Sequence, residues 1–345
     1  MTHTPTDGIA DPERSHRSAA PGRRRLPAGR LRWLIAVVVP AALILAGVVV
    51  FRACAPGDTG DIVVVASGDM ACDPTDPKFN DGAGAGDWCL QRQVSDIAVA
   101  LRPDLVLGLG DYQYELPTAA AYEDVYGTSW GRLKDITRPA LGNQEYKVVY
   151  ANTFRSYFGE HSGPPEGYWS YDVGPWHFVV LNSNCTSVKG GCALGSPQQA
   201  WLEQDLAAND SRCVVAYWHH PRYSNGIAGP DLRTKDLWDT AVRHHVEMVL
   251  SGHEANYERF PRLDGQGRAS EQGTRQFVAG VGGQVHYRPT DADSPWRSQL
   301  PPLRSEYVNY DAAGVLALTL KDGSYDWSFH TSTGAVLDQG SETCH

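Results

Sequence analysis

The sequence predicts an α/β fold, and three observations carry that prediction. Short β-branched apolar runs recur from about residue 60 onward. Segments with helical periodicity lie between several of them, the alternation expected of strands joined by crossover helices. Polar residues follow five predicted strand ends, four of them introduced by glycine, where α/β folds place their ligands.

Ile62–Ala66 (IVVVA) is the first predicted strand and Asp104–Leu109 (DLVLGL) the second. His177–Leu181 (HFVVL), Cys213–Trp218 (CVVAYW), Val246–Leu250 (VEMVL) and Gln276–Val281 (QFVAGV) follow. Val315–Leu320 (VLALTL) is joined through Lys321-Asp322-Gly323-Ser324 to Tyr325–His330, and the Asp-Gly pair there is a hairpin signal. Runs this continuous read as strands buried on both faces. Helices are predicted over Trp88–Leu101, Ala119–Leu133, Ser196–Ala208 and Lys235–His244. In Ser196–Ala208, Pro197 stands at the start, and Trp201, Leu202, Asp205 and Leu206 recur at helical spacing. Neither a repeat nor a long linker divides residues 60–345, so they are read as one domain.

The charge is unevenly distributed. The 345 residues carry 30 Lys+Arg and 40 Asp+Glu, a net of -10. Residues 1–52 hold eight Arg and three acids, a net of +5, which leaves 22 basic and 37 acidic residues beyond them, a net of -15. An acidic body excludes a phosphate-backbone binding surface, because nucleic acid affinity needs clustered Lys and Arg. Arg outnumbers Lys 24 to 6, which fits a GC-rich bacterial genome.

Residues 1–30 lack apolar periodicity and are rich in Pro, Gly, Arg, Ser and Thr, the composition of a disordered basic tail. Trp33 to Phe51 is a 19-residue run without charge, long enough to span hydrocarbon, so residues 31–52 are predicted to be a transmembrane signal-anchor. The Arg cluster before it places the tail in the cytoplasm and the body outside the bacterial membrane. The alternative is a signal peptide cleaved near Ala53-Cys54-Ala55, with the body secreted.

Seven cysteines fit an oxidising compartment. Cys72 and Cys89 flank one Gly/Asp-rich loop and Cys185 and Cys192 a shorter one, so disulfides are expected there and, further, between Cys213 and Cys344. Cys54 is left over. None of the spacings is a zinc knuckle.

The strand ends carry the chemistry. The first predicted strand runs into Gly68-Asp69, and the second into Gly110-Asp111-Tyr112-Gln113-Tyr114. Pro139-Ala140-Leu141 runs into Gly142-Asn143-Gln144-Glu145, Cys213–Trp218 into His219-His220-Pro221, and Val246–Leu250 into Ser251-Gly252-His253-Glu254. Carboxylate and amide oxygens mixed with imidazoles suit Fe, Mn or Zn rather than calcium. A shared carboxylate can bridge two such ions. The sequence contains no P-loop or GxGxxG.

The order GD…GDxxY…GN…H…GH resembles the calcineurin-like metallophosphoesterase superfamily, in particular the purple acid phosphatases and their bacterial secreted relatives. The resemblance covers about residues 60–285. It implies a β-sandwich flanked by helices on both faces. It implies metal ligation by Asp69, Asp111, Tyr114, Asn143, His219 and His253, with Asp111 bridging two ions. Asp69 and Tyr114 would hold the first ion, and Asn143, His219 and His253 the second. Asp111, Asn143, His219 and His220 would act in catalysis.

Two positions depart from the family pattern. Gln144 stands where the pattern GNH-E has histidine, and Ala255 where GH-x-H has its second histidine. Gln can donate a hydrogen bond but cannot act as an acid. A methyl group cannot coordinate a metal, so one ion instead of two is a further expectation. His286 and Glu254 are candidate replacement donors, and His220 a candidate replacement acid. The His244-His245 pair is read as a helix-end feature.

Three readings follow. The first is an exported, membrane-anchored phosphoesterase that hydrolyses mono- or diesters by metal-bound hydroxide at a dinuclear site. The second is a degenerate relative that binds a phosphorylated ligand or an envelope partner with little or no catalysis. The third is a structural envelope module.

Overall fold

The computed structural model describes residues 60–290 and 304–345. The predicted tail, the anchor and Cys54 lie outside the described residues. Among the described residues no helix is long and apolar enough to cross a membrane.

The strands, in chain order, are β1 (Ile62–Ser67), β2 (Leu105–Gly108), β3 (Thr137–Pro139), β4 (Trp169–Val173), β5 (Trp176–Val180), β6 (Cys213–Tyr217), β7 (Met248–Ser251), β8 (Tyr257–Leu263), β9 (Thr274–Ala279), β10 (Tyr307–Asn309), β11 (Gly314–Lys321), β12 (Ser324–Thr331) and β13 (Val336–Thr343). They form two sheets, ordered β13-β12-β11-β1-β2-β3 and β10-β8-β9-β7-β6-β5-β4. The centres of both sheets are parallel: β1, β2 and β3 in one, and β5, β6, β7 and β9 in the other.

The apolar runs are buried on both faces because each sheet is covered twice. Val64 and Ala66 of β1 pack inward, with Val215 and Tyr217 of β6, into the core between the sheets. Val65 faces the other way, into a second cluster with Val94, Ala98, Tyr122, Tyr126 and Phe154. Val214 and Ala216 of β6 likewise join Leu202, Leu206, Leu237 and Trp238 in a third. The outer layers are built by the helices α1 (Gln91–Ala100), α2 (Ala119–Ala121), α3 (Asn152–Phe158), α4 (Pro197–Ala208) and α5 (Lys235–Arg243). This is the sandwich with helices on both faces that the sequence led us to expect.

The start of α4 follows from its sequence. Ser196 caps it, its side chain accepting from the Gln199 N–H, and Pro197 occupies the first turn, where no N–H partner is needed. Two predicted helices are shorter than their periodicity suggests. α1 begins three residues after Trp88, because Cys89 is tied to Cys72 and the Leu90 N–H donates to the Gly283 carbonyl. The Ala119–Leu133 helix does not continue: α2 widens into a π-turn over Tyr122–Tyr126 and resumes as a 3-10 helix only at Trp130.

β8 and β13 were not anticipated, since their sequences (YERFPRL and VLDQGSET) are polar and one contains proline. Tertiary ion pairs satisfy those side chains. Arg259 pairs with Asp338 at 2.9 Å and Arg262 with Glu342 at 3.1 Å. The register shifts between Arg259 and Arg262, the stretch that holds Pro261. All three expected disulfides form, and Cys213–Cys344 ties the start of β6 to the C-terminus across 131 residues.

His177, on β5, is a buried titratable group away from the strand-end residues. Its Nδ1 lies 2.6 Å from Asp172 and its Nε2 3.0 Å from Asp205. Burial opposes its charge, but the hydrogen bonds to Asp205 and Asp172 outweigh burial and hold its pKa above the usual 6.5. A raised folded-state value contributes stability below the unfolded pKa, lost as pH rises through the folded one. The melting temperature of His177→Gln should therefore fall furthest below wild type under about pH 6, and the gap should narrow toward pH 9. Thermal denaturation across that range measures it.

Candidate metal centre

Each of five strand ends delivers its polar residue to one place. Asp69 follows β1, Asp111 and Tyr114 follow β2, Asn143 follows β3, His219 follows β6 and His253 follows β7. The first four belong to one sheet and the last two to the other, so the site lies at the seam between the carboxyl edges of the two sheets.

The six side chains predicted as ligands converge. The Tyr114 hydroxyl donates to Asp69 Oδ1 and to Asp111 Oδ2, both at 2.7 Å. His219 Nδ1 lies 2.7 Å from the Leu109 carbonyl, which can only accept, so Nδ1 carries the proton and Nε2 faces the site. That Nε2 is 3.3 Å from Asp111 Oδ2, 3.1 Å from Asn143 Oδ1 and 3.2 Å from His253 Nδ1. Donor atoms of Asp69, Asp111 and His219 lie within 4.8 Å of one another, and so do those of His219, His220 and His253.

The backbone bends sharply to achieve this. Asp69, Asp111 and His253 all adopt positive φ (57°, 55° and 69°), a region costly for residues other than glycine. The tight turn thus falls on the ligand itself. The preceding glycines matter more for closeness: a Cβ on Gly142 would lie 2.2 Å from Asp111 Oδ1, and one on Gly110 2.6 Å from His219 Nδ1.

Burial and charge set the protonation of these side chains. Burial pushes Asp69 up to about 7, against the attraction of His219. Burial acts on Asp111 too, but His219 and the Gln144 amide outweigh it and hold that carboxyl below its usual value. Burial disfavours charge on His219, yet Asp111 and Asp69 raise it to about 9, so a proton supplies the cation between the two carboxylates. Burial and the His219 charge lower His253 to about 4. Burial, then His219 and His253, also depress His220, which is held neutral. Burial beside Asp111 and Asp69 lifts the Tyr114 phenol well above 10.

Several residues that position this site had no role assigned from sequence. Glu145 is fully buried; its carboxylate accepts from the backbone N–H groups of Asp111 (3.0 Å), Tyr112 (3.0 Å) and Gly142 (2.8 Å), locking two ligand-bearing loops together. Ser183, after β5, bonds His220 Nδ1 at 2.8 Å. The run Asn182-Ser183-Asn184 past a predicted strand was the available signal.

Of the two candidate replacements for the missing ligand, Glu254 is engaged elsewhere. Glu254 turns away and accepts from the N–H groups of Ala228 (3.3 Å) and Gly229 (2.6 Å). His286 Nε2 lies 3.7 Å from Asp87. The His244-His245 pair stands apart from the site, with His244 bonded to Glu203 at 2.8 Å.

The donor set, four oxygens and two imidazole nitrogens aimed at one buried point, fits borderline ions such as Fe, Mn or Zn. Asp111, Asn143, His219 and His253 would hold one ion. Asp69, Asp111 and Tyr114 offer a second only oxygen donors.

Two mixed sheets thus meet at a strand-end cluster of carboxylate, amide, phenol and imidazole. Residues 57–257 match the model of the calcineurin-like phosphoesterase family, and the chain belongs to that family. It is 28% identical over 199 residues to purple acid phosphatase 15 of Arabidopsis thaliana, covering 47% of this chain and 36% of that protein. It is 24% identical over 264 residues to tartrate-resistant acid phosphatase type 5 of Sus scrofa, covering 68% of this chain and 76% of that protein. The structure resembles the yellow lupin purple acid phosphatase PPD1 with a TM-score of 0.61, 19% identity and coverage of 84% of this chain and 55% of that one. The chain spans less than half the length of most of the plant relatives it matches.

Two outcomes follow from this geometry. Glu145→Ala strands three buried N–H donors and should cost about 3 kcal/mol or more in denaturant unfolding. Because His219 is protonated near neutral pH in the metal-free site, metal binding at pH 7 should release protons, with apparent affinity rising toward about pH 9. Calorimetric titrations in buffers of different ionisation enthalpy measure that release.

Proposed function

We propose that this chain is an exported, membrane-anchored, metal-dependent hydrolase of phosphate mono- or diesters. The convergence of six donor side chains from five strand ends carries the reading. Membership of the phosphoesterase family supports the substrate class. The 19-residue apolar run and the three disulfides support export and anchoring in a bacterial membrane, with residues 60–345 as one extracellular domain.

In this reading Asp111 is shared between two metal positions, and Asn143, His219 and His253 complete one of them. The ions would polarise the phosphoryl oxygens and acidify a coordinated water. The chain's own residues do the rest. Glu145 fixes the Asp111 and Asn143 loops relative to each other. The Gln144 side chain can donate to a phosphoryl oxygen, while its backbone N–H donates to Asp111 at 2.8 Å. Among the described residues no acid stands in for the histidine absent at Gln144: His220 is a neutral imidazole bonded to Ser183, able to orient a leaving oxygen but weak as a proton donor. The best substrates should thus be esters with acidic leaving groups, such as aryl phosphates.

A second reading, a ligand-binding relative with little turnover, is favoured by Ala255. With no nitrogen donor, the Asp69–Tyr114 side holds an ion weakly. Two similar proteins illustrate the possibility: a probable inactive purple acid phosphatase 9 of Arabidopsis thaliana, 36% identical over 168 residues that cover 44% of this chain and 24% of that protein, and GAP50, the anchor in the inner membrane complex of Plasmodium, with a TM-score of 0.60, 13% identity and coverage of 83% of this chain and 90% of that one.

Metal analysis and aryl-phosphate turnover of the detergent-solubilised full chain separate the two. The enzyme reading expects bound metal and turnover reduced at least about a thousandfold by Asp111→Asn. It also expects Gln144→His with Ala255→His to raise both metal content and rate. Less than one metal per chain without turnover leaves the binding reading.

A further inference from the structure

Beside His253 the surface opens into a cavity of about 290 Å³, lined by Ala228, Gly229, Pro230, Asp231, Leu232, Arg233 and His253. It adjoins the metal centre through His253 itself. Arg233 is the one permanently charged cation among the described residues that line it. None of the ligand positions includes this loop.

The loop is fixed rather than loose. Glu254, the neighbour of His253 in sequence, is fully buried and holds the Ala228 and Gly229 N–H groups. The Asp231 N–H donates to the Pro221 carbonyl at 2.9 Å, two residues past His219. Asp231 Oδ1 accepts the Arg233 backbone N–H at 2.8 Å, and the Thr234 hydroxyl donates to the Asp231 carbonyl at 2.9 Å. The Arg233 guanidinium then docks on Asp231, with Nε 3.0 and 3.1 Å from the two oxygens and Nη2 2.5 Å from Oδ2. Its Nη1 has no hydrogen-bond partner among the described residues, and the side chain is half exposed. An arginine held by one edge presents its other edge in a set direction, which lowers the entropy cost of binding an oxyanion.

The site also needs a cation there. The body beyond residue 52 carries a net of -15, from 22 basic and 37 acidic residues. Asp69, Asp111 and Glu145 crowd the centre, and Gln144 is uncharged. We propose that Arg233 is a substrate-binding residue whose guanidinium, steadied by Asp231, takes a phosphoryl oxygen of an ester seated between His253 and the 228–233 loop. This rests on the phosphoesterase reading above.

The test uses the metal-loaded full chain with an aryl phosphate as substrate and inorganic phosphate as competitive inhibitor and calorimetric ligand. Arg233→Ala should raise KM and the phosphate inhibition constant together by about 10–100-fold, with kcat, metal content and Tm little changed. Arg233→Lys should fall between, and Asp231→Asn should weaken phosphate binding to a smaller degree. A raised KM with unchanged phosphate affinity would place the guanidinium on the leaving group and overturn the proposal. Unchanged KM and phosphate affinity would make the Asp231 pair purely structural. If wild type turns over nothing but binds phosphate through Arg233, this proposal stands while hydrolysis falls. If wild type neither turns over nor binds phosphate, both fall.

Discussion

Everything at the seam of the two sheets depends on keeping two buried carboxylates, Asp69 and Asp111, side by side. Like charges in a low-dielectric setting repel strongly, and each has also lost its hydration. The molecule offsets this with hydrogen bonds and one cation. The Tyr114 hydroxyl donates to both groups, the amides of His253 and Gln144 each donate to one, and His219 brings a positive charge. A proton on His219 supplies the positive charge between them. The protein is therefore built around a cation-shaped deficit, and that deficit explains the burial, the strained backbone and the convergence of imidazoles.

The strain has a clear mechanical origin. Parallel strands from both sheets end at one edge, and the chain must turn inward within two to four positions of each end to meet. Three ligands adopt left-handed backbone conformations to do so, and glycines let the loops approach until no side chain would fit between them. Glu145 binds the two loops of the first sheet through three backbone amides, while the Leu109 carbonyl and the Asp69 carboxylate receive His219 and the His253 amide from the second. The two sheets are thus cross-linked through the site, which couples metal binding to the stability of the sandwich.

The chemistry is asymmetric. One half of the centre gathers amide oxygen and two imidazoles around Asp111; the other offers two carboxylates and a phenol. Ala255 and Gln144 withdraw from the second half and from the substrate face the groups that would balance them. On the proposed reading, what remains would hold an ion best on the imidazole side and would suit an already acidic leaving group. The fixed loop carrying Arg233 adds positive charge where the rest of the body is acidic.

Much of this was legible in the sequence, and for a definite reason. Strands buried on both faces must be apolar throughout, so β1, β2, β5, β6, β7, β9 and β11 announce themselves, while β12, whose burial alternates, is marked by the Asp-Gly turn before it. Ligand loops must begin at their ends, so Gly-Asp, Gly-Asn and Gly-His mark the site. Cysteines that flank short loops have few other partners, so Cys72–Cys89 and Cys185–Cys192 were readable, whereas Cys213–Cys344, 131 residues apart, carries no such local signal. The polar strands β8 and β13 were hidden, because only distant arginine–carboxylate pairs make them strands. The helix expected from Ala119 was broken by packing that period alone does not encode. Sequence likewise named the six side chains that converge, but not the brace at Glu145, the outward turn of Glu254 or the docking of Arg233 on Asp231. Residue type and spacing determine which atoms can bind a metal. Only the meeting of two sheets decides how far apart those atoms lie, which are neutral, and which neighbours hold them there.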